Sequence, residues 1–262
     1  MNFLQRFTSL DRAIDLRYGS NWYALLITIA AGVLMGFLGA SVSLIISSAA
    51  WVFLTWALGR ELDPDKPLTA AIASAGVLLL LGLNTEARAW AFSALCATGT
   101  LMMLARAGSG CTGRDLKIGD VFLVALAPTL AAFFTGQELG FLSISSLLVL
   151  LLRRAPFWSF IVPALSLVWF SFTVSIFFPT LSVLMALLLL ILAIIGYWKP
   201  LPSSSSDNGT PFPTKFWRWL QLIIFASAAV TALFTPFVLW LALAGVGIVS
   251  GLLELLRPKG KV

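Results

Sequence analysis

The sequence predicts an all-α fold: a polytopic integral membrane helical bundle of about ten transmembrane helices arranged as five hairpins, both termini cytoplasmic. Three observations predict it. The chain is 60% hydrophobic and 11% charged, with a mean hydropathy of +0.98, far from the soluble balance of about half apolar and a quarter charged. Apolar stretches of crossing length recur from Trp22 to the C-terminus, separated by short polar connections. Reading those stretches as crossings then puts sixteen of the seventeen Lys and Arg residues on one side. They are Arg6, Arg12, Arg17, Arg60, Lys66, Arg106, Arg114, Lys117, Arg153, Arg154, Lys199, Lys215, Arg218, Arg257, Lys259 and Lys261, against Arg88 alone. Cationic loops resist translocation, so the side that keeps them is cytoplasmic.

The elements follow in order. Residues 1–21 form a cytoplasmic amphipathic segment: Phe3, Phe7, Leu10 and Ile14 recur at helical spacing, with Arg6, Arg12 and Arg17 elsewhere. The first apolar stretch begins only at Trp22 and outruns a signal-peptide core, so no cleavable signal is expected. Residues 22–59 are too long for one crossing and are interrupted at Gly36-Phe-Leu-Gly-Ala-Ser41, which divides them into two short spans. The further spans run over 67–83, 88–105, 119–135, 139–152, 156–177, 180–198, 216–235 and 237–256, with 139–152 short enough to form a re-entrant pair with 119–135. Residues 22–198 thus make an eight-helix domain, 199–215 a Pro- and Ser-rich cytoplasmic linker, 216–257 a C-terminal hairpin and 258–262 a basic tail. The glycosylation acceptor pattern at Asn208-Gly-Thr210 falls on the cytoplasmic side, where it goes unused. No internal repeat relates 22–135 to 139–256.

Several chemistries lack their residues. There is no histidine in the chain, so His-ligated haem, His-based zinc and His general bases are absent. No charge lies near the middle of a span, where coupled carriers keep their ionisable groups. Cys96 falls in a span and Cys111 in a cytoplasmic loop, so two free thiols are expected. The net charge of +6 belongs to helix-orienting loops, and no nucleic-acid partner is inferred from it.

Three places carry candidate chemistry. Gly108-Ser-Gly-Cys-Thr-Gly113 has dinucleotide-fingerprint spacing but no preceding strand. Its better functional reading is a lipid-headgroup or phosphate site, with Arg106, Gly108, Gly110, Gly113, Arg114 and Lys117 as contacts, against the simpler reading of a turn. Glu61, Asp63, Asp65, Asp115 and Asp120 form a candidate polar cytoplasmic cluster, suited to Mg²⁺ and a phosphate if the two loops meet; capped, salt-bridged turns are the plainer account. Pro128, Ser159, Pro163, Ser166 and Thr173 outline a candidate solute path, since proline frees carbonyls and the hydroxyls recur every seven residues, as do Ser41, Ser48 and Thr55. Interhelical hydrogen bonding is the favoured alternative, and Gly32-xxx-Gly36 and Gly247-xxx-Gly251 read as close helix contacts.

The functional expectation is a non-catalytic integral membrane protein, an accessory or assembly component of a membrane complex. It has no catalytic residue, metal or cofactor, and its partners are membrane lipids and other membrane subunits. The alternatives are a permease for a neutral or amphiphilic solute and a cytoplasmic-face lipid-phosphate-processing enzyme.

Overall fold

A computed structural model describes residues 19–109, 115–173, 180–199 and 214–256. Among them there is no strand; the elements are α1 (Gly19–Phe37), α2 (Val42–Leu62), α3 (Pro67–Leu83), the single turn α4 (Thr85–Ala89), α5 (Ala91–Ser109), α6 (Ile118–Thr135), α7 (Ser143–Leu152), α8 (Ile161–Thr173), α9 (Thr180–Trp198), α10 (Thr214–Ala232) and α11 (Leu241–Leu255). Among the described residues six helices are long and apolar enough to cross a membrane: α1, α2, α5, α6, α9, and α11 together with the turn before it. Four shorter apolar helices cover Pro67–Leu83, Glu138–Leu152, Phe157–Phe172 and Phe216–Ala232. The protein is therefore an all-helical membrane protein. The expected amphipathic segment, apart from its last three residues, lies outside the described residues, as do nearly all of the linker and the basic tail.

The breaks have local causes. After α1 the chain turns through Gly39 at φ +71°, a left-handed conformation that suits glycine, and the Ser41 hydroxyl accepts the N–H of Leu44 at 3.4 Å to start α2. Asp63-Pro64 ends α2, and Pro67 opens α3 at a position whose N–H has no helical partner anyway. Asn84 caps α4 by accepting the Ala87 N–H at 3.1 Å. Arg88 donates to the carbonyls of Leu81 and Gly82 at 3.0 and 3.3 Å, filling acceptors that the end of α3 leaves open.

Three helices of the second half begin with 3₁₀ turns, at Gln137–Leu142, Phe157–Phe160 and Phe237–Trp240. The tighter spiral rises further per residue. Six 3₁₀ residues plus ten α residues over 137–152 reach about 27 Å, where sixteen α residues would reach about 24 Å, against a hydrocarbon core of about 30 Å. The 3₁₀ start thereby lengthens the short segment expected at 139–152, which stays among the four shorter apolar helices. Pro163 lies in the first turn of α8, which continues directly from the 3₁₀ turn Phe157–Phe160.

The core is built from small residues. On α5, Ala91, Ala94, Ala97, Leu101 and Leu104 are buried, and Leu54 of α2 lies over Gly99, where a Cβ would stand 3.2 Å from it. At Gly59 a Cβ would be 2.7 Å from the Cα of Ala70, so α2 and α3 meet backbone to backbone. The C-terminal hairpin belongs to the same core: α10 packs on α9 and α5, and α11 packs on α3, α9 and α2. Gly247 of the second small-xxx-small pair faces Leu192 and Phe225 closely and Gly32 of the first faces Ile45 and Ala49, so the first glycine of each pair serves a contact within the chain, while a Cβ at Gly36 would meet nothing and one at Gly251 only Ile195.

Candidate functional site

The charged side chains gather at one end of the bundle, where the C-terminal ends of α2, α5, α9 and α11 meet the N-terminal parts of α3 and α10. The Asp63-Pro64 break aims the Asp63 carboxylate back into the protein. Its Oδ2 accepts the Thr69 hydroxyl at 2.9 Å and the Ser250 hydroxyl at 2.6 Å and pairs with Lys199 Nζ at 2.8 Å. The Lys199 ammonium also donates to Ser250 Oγ. Asp63 is 3% exposed, so this is a buried network linking α2, α3, α9 and α11. Burial pushes the Lys199 ammonium below its ordinary range, outweighing the pull of Asp63 beside it. Two ion pairs flank the network. Lys66 meets Glu254, and Glu61 Oε1 receives both Nε and Nη2 of Arg106, at 2.9 and 2.8 Å. The Gln221 amide donates to the Leu62 carbonyl at 2.8 Å, one of the α2 end carbonyls with no helical partner. Gly196 makes room for that amide, since a Cβ there would stand 3.2 Å from the Gln221 side chain.

The five carboxylates expected as one cluster are therefore divided. Glu61 and Asp63 belong to separate buried pairs, Asp65 and Asp115 are exposed, and buried Asp120 accepts the Lys117 N–H at 2.8 Å as the opening cap of α6. Among the described residues, no three His, Cys, Asp or Glu side chains converge to hold a metal.

The phosphate contacts are dispersed as well. Arg106 is engaged with Glu61. Gly108 is buried helix backbone, where a Cβ would stand 2.4 Å from Leu220, so it faces α10 rather than an open loop. Gly110, Gly113 and Arg114, together with Cys111, lie outside the described residues. Cys96 is a free thiol.

The hydroxyls and prolines of the expected path meet neighbours instead of a channel. Pro128 cannot donate to the Val124 carbonyl four residues back, and the Ser146 hydroxyl donates to it in its place. Ser166 bonds Thr129, joining α8 to α6, and Ser159 returns to the Pro156 carbonyl at 2.6 Å. Thr173 ends α8, and its side chain lies outside the described part. On α2, Thr55 bonds back to the Trp51 carbonyl at 2.8 Å, and the Ser48 hydroxyl is buried without a partner. No protein-family model, curated protein or solved structure matches this chain.

Lys199, Gln221, Ser250 and Glu254 were not among the expected site residues. Lys199 reads as the first residue of a linker, yet its side chain turns into the bundle. Gln221 and Ser250 are polar residues within otherwise apolar stretches, and that is the signal that finds them: an amide or hydroxyl at membrane depth turns toward protein.

Proposed function

We propose that this chain is a non-catalytic integral membrane protein of ten crossings, with both termini cytoplasmic, acting in the cell's inner (plasma) membrane as an accessory or assembly component of a membrane complex. One observation carries the reading: the chemistry-bearing side chains are closed on one another. Asp63 is spent on Lys199, Thr69 and Ser250, Glu61 on Arg106, Asp120 on a helix cap, and Ser166 on Thr129. Catalysis or conduction needs such groups turned toward a substrate or a water-filled path. The hydroxyls a permease would use donate to carbonyls and to each other, which weighs against that alternative. The scattered carboxylates weigh in the same way against a metal-assisted phosphate enzyme. Exposed aromatics, including Phe133 and Phe134 on α6 and Phe172 on α8, supply a broad surface for lipid or subunit contact. The ends-inside arrangement is supported by the meeting of Lys66, Arg106 and Lys199 at one end of the bundle while Arg88 caps the far end of α3.

Two experiments test this. Gentle-detergent extraction followed by native mass spectrometry is expected to recover a stoichiometric protein partner; a chain recovered alone with a reproducible neutral solute overturns the reading. For orientation, Asn84→Cys and Arg154→Cys, in a background lacking Cys96 and Cys111, are expected to react with an impermeant thiol reagent from opposite faces. Labelling from one face refutes the assigned topology.

A further inference from the structure

Between α9 and α11 runs a groove of about 580 Å³, open along one side. Its walls are apolar, with Ile191 and Ile195 on α9 and Ile248 and Leu252 on α11, and its charged lining residues, Lys199 and Glu254, stand together at one end beside Trp198. We propose that this groove holds one acyl chain of a membrane glycerophospholipid, with the phosphate and ester region of that lipid at Lys199 and Lys66.

Five features select a lipid over a partner helix. The volume is that of a small-molecule site, suited to a single extended chain. The wall carries charge at one end only, which is the pattern of an amphiphile. The Lys199 ammonium has three N–H donors, of which Asp63 and Ser250 take two. A phosphate or ester oxygen satisfies the third, whereas an apolar helix would leave it without an acceptor in an apolar wall. Lys66, its side chain 20% exposed and paired with the groove-lining Glu254, brings a second cation beside that carboxylate, and Glu254, its side chain 26% exposed, suits the ammonium of a zwitterionic headgroup. Trp198, 72% exposed, stands where an aromatic at the lipid–water boundary is favoured.

Gly251 keeps the groove open without being required by the fold. A Cβ there would meet Ile195 at 3.7 Å, an ordinary contact, whereas one at Gly247 would stand 2.8 Å from Leu192. Gly251→Leu therefore fills the groove and leaves the helix contact intact.

The test extracts the protein from phosphatidylethanolamine and phosphatidylglycerol membranes and reads retained lipid by native mass spectrometry. Wild type is expected to keep one phospholipid per chain, and Gly251→Leu to lower its occupancy about tenfold through the loss of a few buried methylene contacts. Leu187→Trp, on an exposed part of α9 that does not line the groove, is expected to leave occupancy unchanged. If Gly251→Leu does not fold, Leu252→Trp narrows the same groove from its wall and is expected to give the same loss. Wild type without retained phospholipid, retention by both groove variants equal to that of wild type, or retention of a polypeptide that the variants release in place of a lipid each overturns the proposal.

Discussion

Replacing Lys199 by methionine tests how the buried end of the bundle is held. Side-chain exposure is 10% for Lys199 and 4% for Asp63 across a 2.8 Å pair, so the substitution leaves a buried carboxylate with only the Thr69 and Ser250 hydroxyls. Stranding one member of a buried pair costs about 3–5 kcal/mol. Lys66→Met removes a cation from a pair whose side chains are 20% and 26% exposed, and a partly solvated pair contributes about 0–1 kcal/mol. The double variant Asp63→Asn, Lys199→Met should recover most of the loss, because a neutral amide still accepts from Thr69 and Ser250. The expected coupling is about 2–3 kcal/mol, within the range of residues that share one network. Unfolding free energies from detergent titration of bicelle-reconstituted protein, followed by tryptophan fluorescence, measure wild type, the single variants Lys199→Met, Asp63→Asn and Lys66→Met, and the double variant. Equal losses for Lys199→Met and Lys66→Met, or a double variant whose loss is the sum of the singles, refute the reasoning.

Three further outcomes are expected. Ser146→Ala strands the Val124 carbonyl and should cost about 1–3 kcal/mol, whereas in a Pro128→Ala background, where the helix N–H returns, the same substitution should cost little; equal costs in both backgrounds exclude the substitution of hydroxyl for amide. Gly59→Ala drives a Cβ to 2.7 Å from the Ala70 backbone and should cost about 1–3 kcal/mol as overpacking, while Gly251→Ala should change the melting temperature little, and thermal scans of the two variants compare them directly. Because the folded pKa of Lys199 is lowered, the unfolded chain holds that proton to higher pH, so the stability of wild type relative to Lys199→Met should rise as pH climbs toward lysine's ordinary 10.5 and fall again as pH drops through the folded value; a difference that declines toward high pH contradicts the sign.

What was legible in the sequence is what depends on neighbouring residues. The break near Gly39, the start of α3 at Pro67 and the need of Pro128 for a substitute donor all follow from local stereochemistry, and the structure has each of them. Partner choice does not. Nothing in the spacing of Glu61-Leu-Asp63 tells that the first carboxylate finds Arg106 and the second Lys199, because both choices are made by the packing of α5 and α9 against α2. Gly108 shows the same limit: it sits in a motif that reads as a loop, but the helix runs on through Ser109 and Leu220 of α10 packs where a side chain at Gly108 would stand. The 3₁₀ starts were also hidden, since an apolar run has the same composition whichever spiral it adopts.

The Asp63 network also sets an order for biosynthesis. Asp63 emerges early, but its partners Lys199 and Ser250 follow in α9 and α11, Ser250 187 residues later. Until Lys199 has been made, the α2–α3 corner carries a carboxylate with no cation to pair it, and burying it alone is costly, so contact with water is favoured up to that point. A chain released before Lys199 leaves that carboxylate without its cation, whereas one released before α11 already holds Thr69 and Lys199 and lacks only the Ser250 hydroxyl, so the two unfinished forms differ in charge.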